Sequence, residues 1–233
     1  MTDLQRKTEL RKFFFKPPPF SELLQPILWK EMKTAIVTQF YPKKTIIYNE
    51  GSNLHGIFII RKGKVKVYII NNEGAEQIIY FLGKNEFFGH RSVLSDHPSP
   101  VFIETIDDCT IGLIPRYNIK ILLSNSIELN SVFLYYLGIE FSVFVNKLSL
   151  FAQKPVSERV AISLLVLNEK FNRDPQQVKV LNFSREDLAS YIGTATESLI
   201  RHLKLLKEKN IITTRGRKII IEDVEALFER ANM

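Results

Sequence analysis

The chain has 233 residues, 45% of them hydrophobic and 24% charged, the proportions of a soluble globular protein of one or two domains rather than a disordered or fibrous one. Lysine and arginine number 32 against 25 acids, a net charge of +7, which suits nucleic acid or another anionic surface only where the charge is clustered. The single cysteine, Cys109, excludes an intramolecular disulfide, a cysteine-ligated iron–sulfur cluster and a zinc ribbon. No apolar run approaches the roughly 20 residues needed to span a bilayer. Phe13, Phe14 and Phe15, followed by Pro17 to Pro19, make too short a run for a signal-peptide core. The expected compartment is the cytoplasm.

In chain order, a helix is expected from Pro26 through Trp29, Met32, Ile36 and Val37, because proline is tolerated in a first turn and the spacing is helical. From Thr45 the pattern changes to short β-rich runs: Thr45 to Tyr48, Gly56 to Ile60, Val65 to Ile70, Gln77 to Leu82 and Val101 to Ile106. Turn residues punctuate them, and Asn72-Glu73-Gly74 between two such runs is a hairpin signal. Short strands at regular spacing predict a barrel or sandwich.

A long helix follows. Leu134, Leu137, Phe141, Phe144, Leu148 and Phe151 recur at alternating steps of three and four, the period of a two-helix seam. Phe133, Tyr135, Tyr136, Ile139, Val143 and Val145 widen the apolar arc beyond a seam. Such a helix needs two partners, such as its own β domain and a second copy of itself. The alternative is one helix burying a stripe within its own domain. Lys154-Pro155 ends this helix, another restarts at Ser157-Glu158, and Asn172 to Pro175 reads as a loop.

The C-terminal part carries the chemistry. Ser184 with Asp187 three residues on resembles a capping box, so a helix is expected from Arg185 with Leu188, Ala189 and Ile192 buried. Gly193 supplies a sharp turn. A second helix is expected from Thr194 as N-cap to Lys207, with Leu199, Leu203 and Leu206 as its core stripe. Two short helices about a glycine turn make a helix-turn-helix. Ile211 to Thr214 and Lys218 to Ile221 then read as strands joined by Arg215-Gly216-Arg217, a hairpin with a basic tip. Between Ser198 and Lys218 stand Arg201, Lys204, Lys207, Lys209, Arg215, Arg217 and Lys218 against Glu208 alone, and phosphate neutralisation accounts for that clustering.

Phe183 to Ile221, with its core Gly193-Thr194-Ala195-Thr196-Glu197-Ser198-Leu199-Ile200-Arg201-His202-Leu203, resembles the winged helix-turn-helix of Crp/Fnr-type bacterial transcription regulators. Upstream, Glu50-Gly51, Gly56 to Ile60, Gly63-Lys64-Val65 and Phe87-Phe88-Gly89 stand where that family's cyclic-nucleotide-binding-like β-roll has them. The resemblance implies an α+β protein in three parts. Residues 1–128 would form an effector-sensing β-roll of jelly-roll type with N-terminal helices, 129–153 a dimerisation helix, and 154–233 a winged helix-turn-helix. It further implies that Glu197 and Arg201 enter the major groove. They stand four apart on one helix face, away from Leu199 and Leu203, and suit cytosine N4 and guanine O6/N7. The alternative is that Glu197 closes a capping box with Thr194 and Arg201 pairs with it. Thr194, Thr196 and Ser198 are expected phosphate or thymine-methyl contacts, and Arg215, Arg217 and Lys218 phosphate contacts. Where the family's cyclic AMP-responsive members have an arginine before this glutamate, Thr196 stands, so their DNA site is not implied.

The same members bind the ribose 2′-hydroxyl through a glutamate and the cyclic phosphate through an arginine and a serine. In the matching stretch His90 stands at the glutamate position and Pro100-Val101 replace the arginine and serine. A phosphate buried there loses its counter-charge, on the order of several kcal/mol, so ordinary cyclic AMP or GMP control is not expected. Gly89, His90, Arg91 and Ser92 are candidate contacts for another anion, the alternative being that His90 and Arg91 are a surface-exposed pair that only stabilises the turn. No cofactor or metal is implied, and the effector is unidentified. No nucleophile–base pair, metal motif or phosphate-cradling glycine loop stands at usable spacing, so an enzyme is not expected. The expected partners are double-stranded DNA, a second copy of the chain and, if the protein activates, RNA polymerase, with no membrane. The rival reading is a ligand- or protein-binding β-roll whose C-terminal module contacts protein rather than DNA.

Overall fold

The computed structural model describes residues 3–172 and 180–233. In chain order its elements are α1 (Asp3–Arg11), α2 (Phe20–Leu23), α3 (Pro26–Thr34), β1 (Val37–Tyr41), β2 (Ile46–Tyr48), β3 (Gly56–Lys62), β4 (Val65–Ile70), β5 (Glu76–Leu82), β6 (Phe87–Phe88), α4 (His90–Ser95), β7 (Phe102–Thr105), β8 (Cys109–Pro115), α5 (Arg116–Asn125) and α6 (Ile127–Gln153). Then come α7 (Val156–Phe171), β9 (Val180–Asn182), α8 (Arg185–Ile192), α9 (Thr196–Glu208), β10 (Ile212–Arg215), β11 (Lys218–Ile221) and α10 (Val224–Ala231). Packing divides the chain into two units, Lys16–Ile139 and a second made of Glu140–Met233 with the residues up to Phe15.

In the first unit two antiparallel sheets, β1-β8-β3-β6 and β2-β7-β4-β5, form the β-roll. Ile57, Ile60, Ile111 and Ile114 of one sheet and Val65, Ile78 and Ile103 of the other are buried, each contributing about 1.5–3 kcal/mol relative to exposure. The turn between β4 and β5 is fixed by Asn71, whose Oδ1 accepts from the N–H groups of Glu73 (3.0 Å) and Ala75 (2.8 Å). The helix expected through Val37 is shorter: α3 ends at Thr34, and Val37 opens β1, which pairs with β8 from Val37↔Leu113 to Tyr41↔Cys109. The segment Val37-Thr38-Gln39-Phe40-Tyr41 is rich in β-branched and aromatic residues, and an available strand partner overrides the helical spacing.

The 27-residue α6 crosses from one unit to the other. Leu129, Val132, Phe133, Tyr136, Val143 and Leu150 are buried, whereas Leu134, Phe141 and Leu148 are 61–69% exposed and Phe144 is 48% exposed. By length and average composition alone α6 could cross a membrane, but Glu140 and Lys147 interrupt its apolar run and are buried within the protein.

In the second unit α7 is buried along Val160 to Asn168, and β10-β11-β9 form a small antiparallel sheet. Here α1 packs on α7, Arg6 pairs with Glu225 of α10, and Leu10, Phe14 and Phe15 are buried. The residues up to Phe15 therefore pack with the C-terminal unit, not with the β-roll as the 1–128 boundary expected. Three buried apolar side chains outweigh sequence proximity. Of the loop expected from Asn172 to Pro175, only Asn172 lies among the described residues.

Candidate nucleic-acid interface

Two helices and a hairpin in the second unit assemble the basic residues. Ser184 caps α8, its Oγ accepting from the Asp187 N–H at 2.9 Å and donating to Asp187 Oδ2 at 2.7 Å. At the other end Gly193 adopts the left-handed region (φ +70°), which glycine enters without steric cost, and the Thr194 N–H donates to Ala189 O at 3.0 Å. The Thr194 N–H thus closes the end of α8. Helix α9 starts one residue later than expected, with Ala195 as N-cap and no side-chain cap. The capping box between Thr194 and Glu197 does not form. Nor, among the described residues, does an ion pair join Glu197 to Arg201.

In α9, Leu199, Leu203 and Leu206 are buried, which turns the opposite face outward. Glu197, Ile200, Arg201 and Lys204, at steps of three, one and three, are exposed and share that face. Thr194, Thr196 and Ser198 are half-buried near the helix start, where free N–H groups and the helix dipole favour anions. Lys204 keeps a loose contact with Glu208 at 3.8 Å. Ile200, 50% exposed, escaped the sequence reading. Its signal was present, because a large apolar residue off the leucine stripe in a short helix must face solvent, and an apolar side chain there suits a thymine methyl.

The hairpin β10–β11 closes with Arg215 opposite Lys218, and Arg215, Arg217 and Lys218 are exposed at its tip. A second residue missed from sequence holds this tip: Arg185, first in α8, donates from Nη2 to Gly216 O at 3.0 Å and from Nη1 to Arg217 O at 3.3 Å. Partial burial lowers its pKa from the usual arginine value, yet a guanidinium stays charged. Arg159 likewise donates to Gly193 O at 2.9 Å and to Phe151 O at 3.3 Å, tying the helix-turn-helix turn to the last turn of α6.

In the β-roll, Gly89 precedes α4 with φ +91°, and a Cβ there would meet Gly56 O at 2.6 Å. His90 and Ser92 are buried and Arg91 is half-buried. The His90 ring lies edge-on to Phe87 with centroids 4.9 Å apart, within a cluster that also holds Phe20, Phe133 and Tyr136. Of the candidate effector contacts, Gly89 and Arg91 are thus the less enclosed. Burial pushes the Cys109 thiol up to about 11, leaving it protonated and unreactive at neutral pH. Among the described residues no group of histidines, cysteines and acids could hold a metal ion.

A family model described as the cyclic nucleotide-binding domain matches residues 38–126, and one described as the Crp-like helix-turn-helix domain matches residues 158–230. The chain belongs to the Crp/Fnr family of transcription regulators. Its curated relatives include the fumarate and nitrate reduction regulatory protein of Yersinia pestis, 26% identical over 81% of this chain and 76% of that one. A Crp/Fnr regulator from Eubacterium rectale shares the fold with a TM-score of 0.74 and 22% identity over 93% of this chain and 99% of its own. FixK2 from Bradyrhizobium japonicum has the same TM-score with 23% identity, over 83% and 96%. Within the matched β-roll Val101 is buried, and the Ser99 hydroxyl beside it donates to Val101 O at 2.9 Å.

Proposed function

We propose that this Crp/Fnr regulator acts as a cytoplasmic homodimer that reads a near-palindromic DNA site through α9 and is controlled by an effector other than ordinary cyclic AMP. The observation that carries the reading is the single outward face of α9, where Glu197, Ile200, Arg201 and Lys204 are exposed together. In this reading Glu197 and Arg201 contact base edges, Ile200 packs on a thymine methyl, and Thr194, Thr196, Ser198 and the tip residues Arg215, Arg217 and Lys218 hold phosphates. Dimerisation is supported by the exposed seam Leu134, Phe141, Phe144 and Leu148, with the half-buried Leu137 and Phe151 completing its a/d repeat. Two-fold symmetry then sets the half-sites about 34 Å apart, one helical turn. The effector acts by binding one arrangement of the dimer more tightly than another. If the protein activates transcription, RNA polymerase is a further partner.

The test is the salt dependence of binding to a long mixed-sequence duplex. A dimer neutralising six to ten phosphates should lose about 10³–10⁵ in affinity between roughly 50 and 200 mM salt. A flat response would overturn the reading and favour a C-terminal unit that contacts protein.

A further inference from the structure

Pro155 follows the end of α6 and carries no N–H, so the Phe151 carbonyl, four residues earlier, lacks the donor that a continuing helix would supply. Arg159, in the first turn of α7, supplies one instead. Its Nη1 donates to Phe151 O at 3.3 Å and its Nη2 to Gly193 O at 2.9 Å, while the guanidinium stands 5.8 Å from the centroid of the Phe151 ring. A planar fork of fixed donors suits two carbonyls on different elements, whereas a lysine ammonium is a point charge without that geometry. Phe151, Arg159 and Gly193 all belong to the C-terminal unit.

The two carbonyls stand at different working parts of that unit. Phe151 ends the apolar stripe of α6 that also holds Phe141, Phe144 and Leu148, which are 68%, 48% and 61% exposed in the single chain and belong to the same unit. Gly193 is the turn between α8 and α9. Because α9 starts from Ala195 with no side-chain cap, the direction in which it leaves that turn is set by the backbone of Gly193 and Thr194. One turn before Phe151, the buried Lys147 ammonium lies 4.0 Å from the centroid of the Tyr191 ring of α8. That contact keeps α8 on α6 whichever side chain stands at position 159.

We propose that Arg159 is a positioning residue that fixes α9 relative to the exposed stripe of α6, and thereby sets the spacing between half-sites that the protein accepts. The inference rests on the dimeric DNA reading proposed above. In such a dimer the stripe lies on the two-fold axis, and each α9 is referred to that axis through Phe151, Arg159 and Gly193. One base pair added between the half-sites moves the second one roughly 3.4 Å along the duplex and turns it by about 35°. An α9 held by two charge-assisted bonds resists that displacement. An α9 whose turn is released follows the displaced half-site at lower cost.

The test uses the full chain as wild type, as Arg159→Lys, which keeps the charge and loses the fork, and as Arg159→Met, which loses both. Selection from a random duplex library with the wild type defines its site, and competition binding then compares that site with duplexes one base pair longer or shorter between the half-sites. The preference for the wild-type spacing is expected to shrink by about tenfold in both variants, the lower end of what one charge-assisted hydrogen bond is worth. Discrimination at the Arg201 base pair is expected to persist. A variant that is merely less well folded loses binding to every duplex alike and leaves the spacing ratio untouched. Arg159→Lys with the wild-type ratio overturns the proposal, whatever Arg159→Met does, because charge alone then suffices. A wild type that is indifferent to spacing, though its binding is steeply salt-dependent, overturns it as well. A wild type whose binding does not respond to salt overturns the DNA reading itself, and this proposal with it.

Discussion

Replacing Lys147 by methionine should stabilise the protein, and do so most at low pH. Lys147 lies on α6, 4% exposed, with its ammonium 4.0 Å from the centroid of the Tyr191 ring. Burial, reinforced by the nearby positive charge of Lys170, pushes its pKa from 10.5 down to about 7. A lysine whose folded pKa is depressed favours folding most above its unfolded pKa, where neither state is charged. That advantage is lost as pH falls towards the folded value, because the unfolded chain takes up the proton first. At 1.36 kcal/mol per pKa unit the full shift corresponds to roughly 5 kcal/mol, less about 1–2 kcal/mol for the cation–π contact that methionine would forfeit. Urea unfolding at fixed protein concentration, from about pH 6 to 9.5, measures this. The Lys147→Met variant is expected to exceed the wild type by about 3 kcal/mol near pH 6, with the gap closing as pH rises. A gap independent of pH, or a variant less stable throughout, would refute the assignment of a costly buried charge.

Three further outcomes follow from the DNA-binding unit and the exposed helix. Arg201→Ala should cost about 1–3 kcal/mol of affinity and relax discrimination at one base pair per half-site; equal losses on every sequence, measured by competition binding, would make Arg201 a phosphate contact. Arg185→Met removes the donor to Gly216 O and Arg217 O, charge-assisted bonds worth about 1.5–3 kcal/mol each. DNA affinity and its salt slope should both fall while Arg201-dependent base discrimination persists, and unchanged affinity would show that the tip holds itself. Phe141→Asp places a charge on a seam residue that is 68% exposed in the single chain, forfeiting about 1.5–3 kcal/mol of burial per copy. Sedimentation should show monomer at concentrations where the wild type is dimeric, and an undiminished dimer would move the interface elsewhere.

What could be read from the sequence was whatever is settled within a few residues. Ser184 and Asp187 announce their helix because the cap and the capped N–H are three positions apart, and Leu199, Leu203 and Leu206 fix which face of α9 is buried. The exposed residues of α9 follow by elimination, Ile200 included. Contacts across the chain were illegible. Ile36 and Val37 fit a helical stride, while the partner that makes Val37 the first residue of β1, strand β8, lies far downstream. The docking of α1 joins Arg6 to Glu225, 219 positions away, and no local pattern marks it. Thr194 shows the finer limit: a threonine before a helical run reads as a cap, but here its N–H closes the preceding helix and Ala195 takes the N-cap position. His90 reads equally as ligand contact or packing, and its place against Phe87 depends on a cluster drawn from three separate segments.

Selection from a random duplex library with the purified protein, first alone and then with a metabolite extract, bears most directly on the central claim. Enrichment of a two-fold symmetric site with half-sites one helical turn apart is the expected result, and a site found only with the extract would place the effector upstream of DNA binding. No enrichment in either condition would contradict the account and leave the β-roll as a ligand- or protein-binding module whose C-terminal unit does not read DNA.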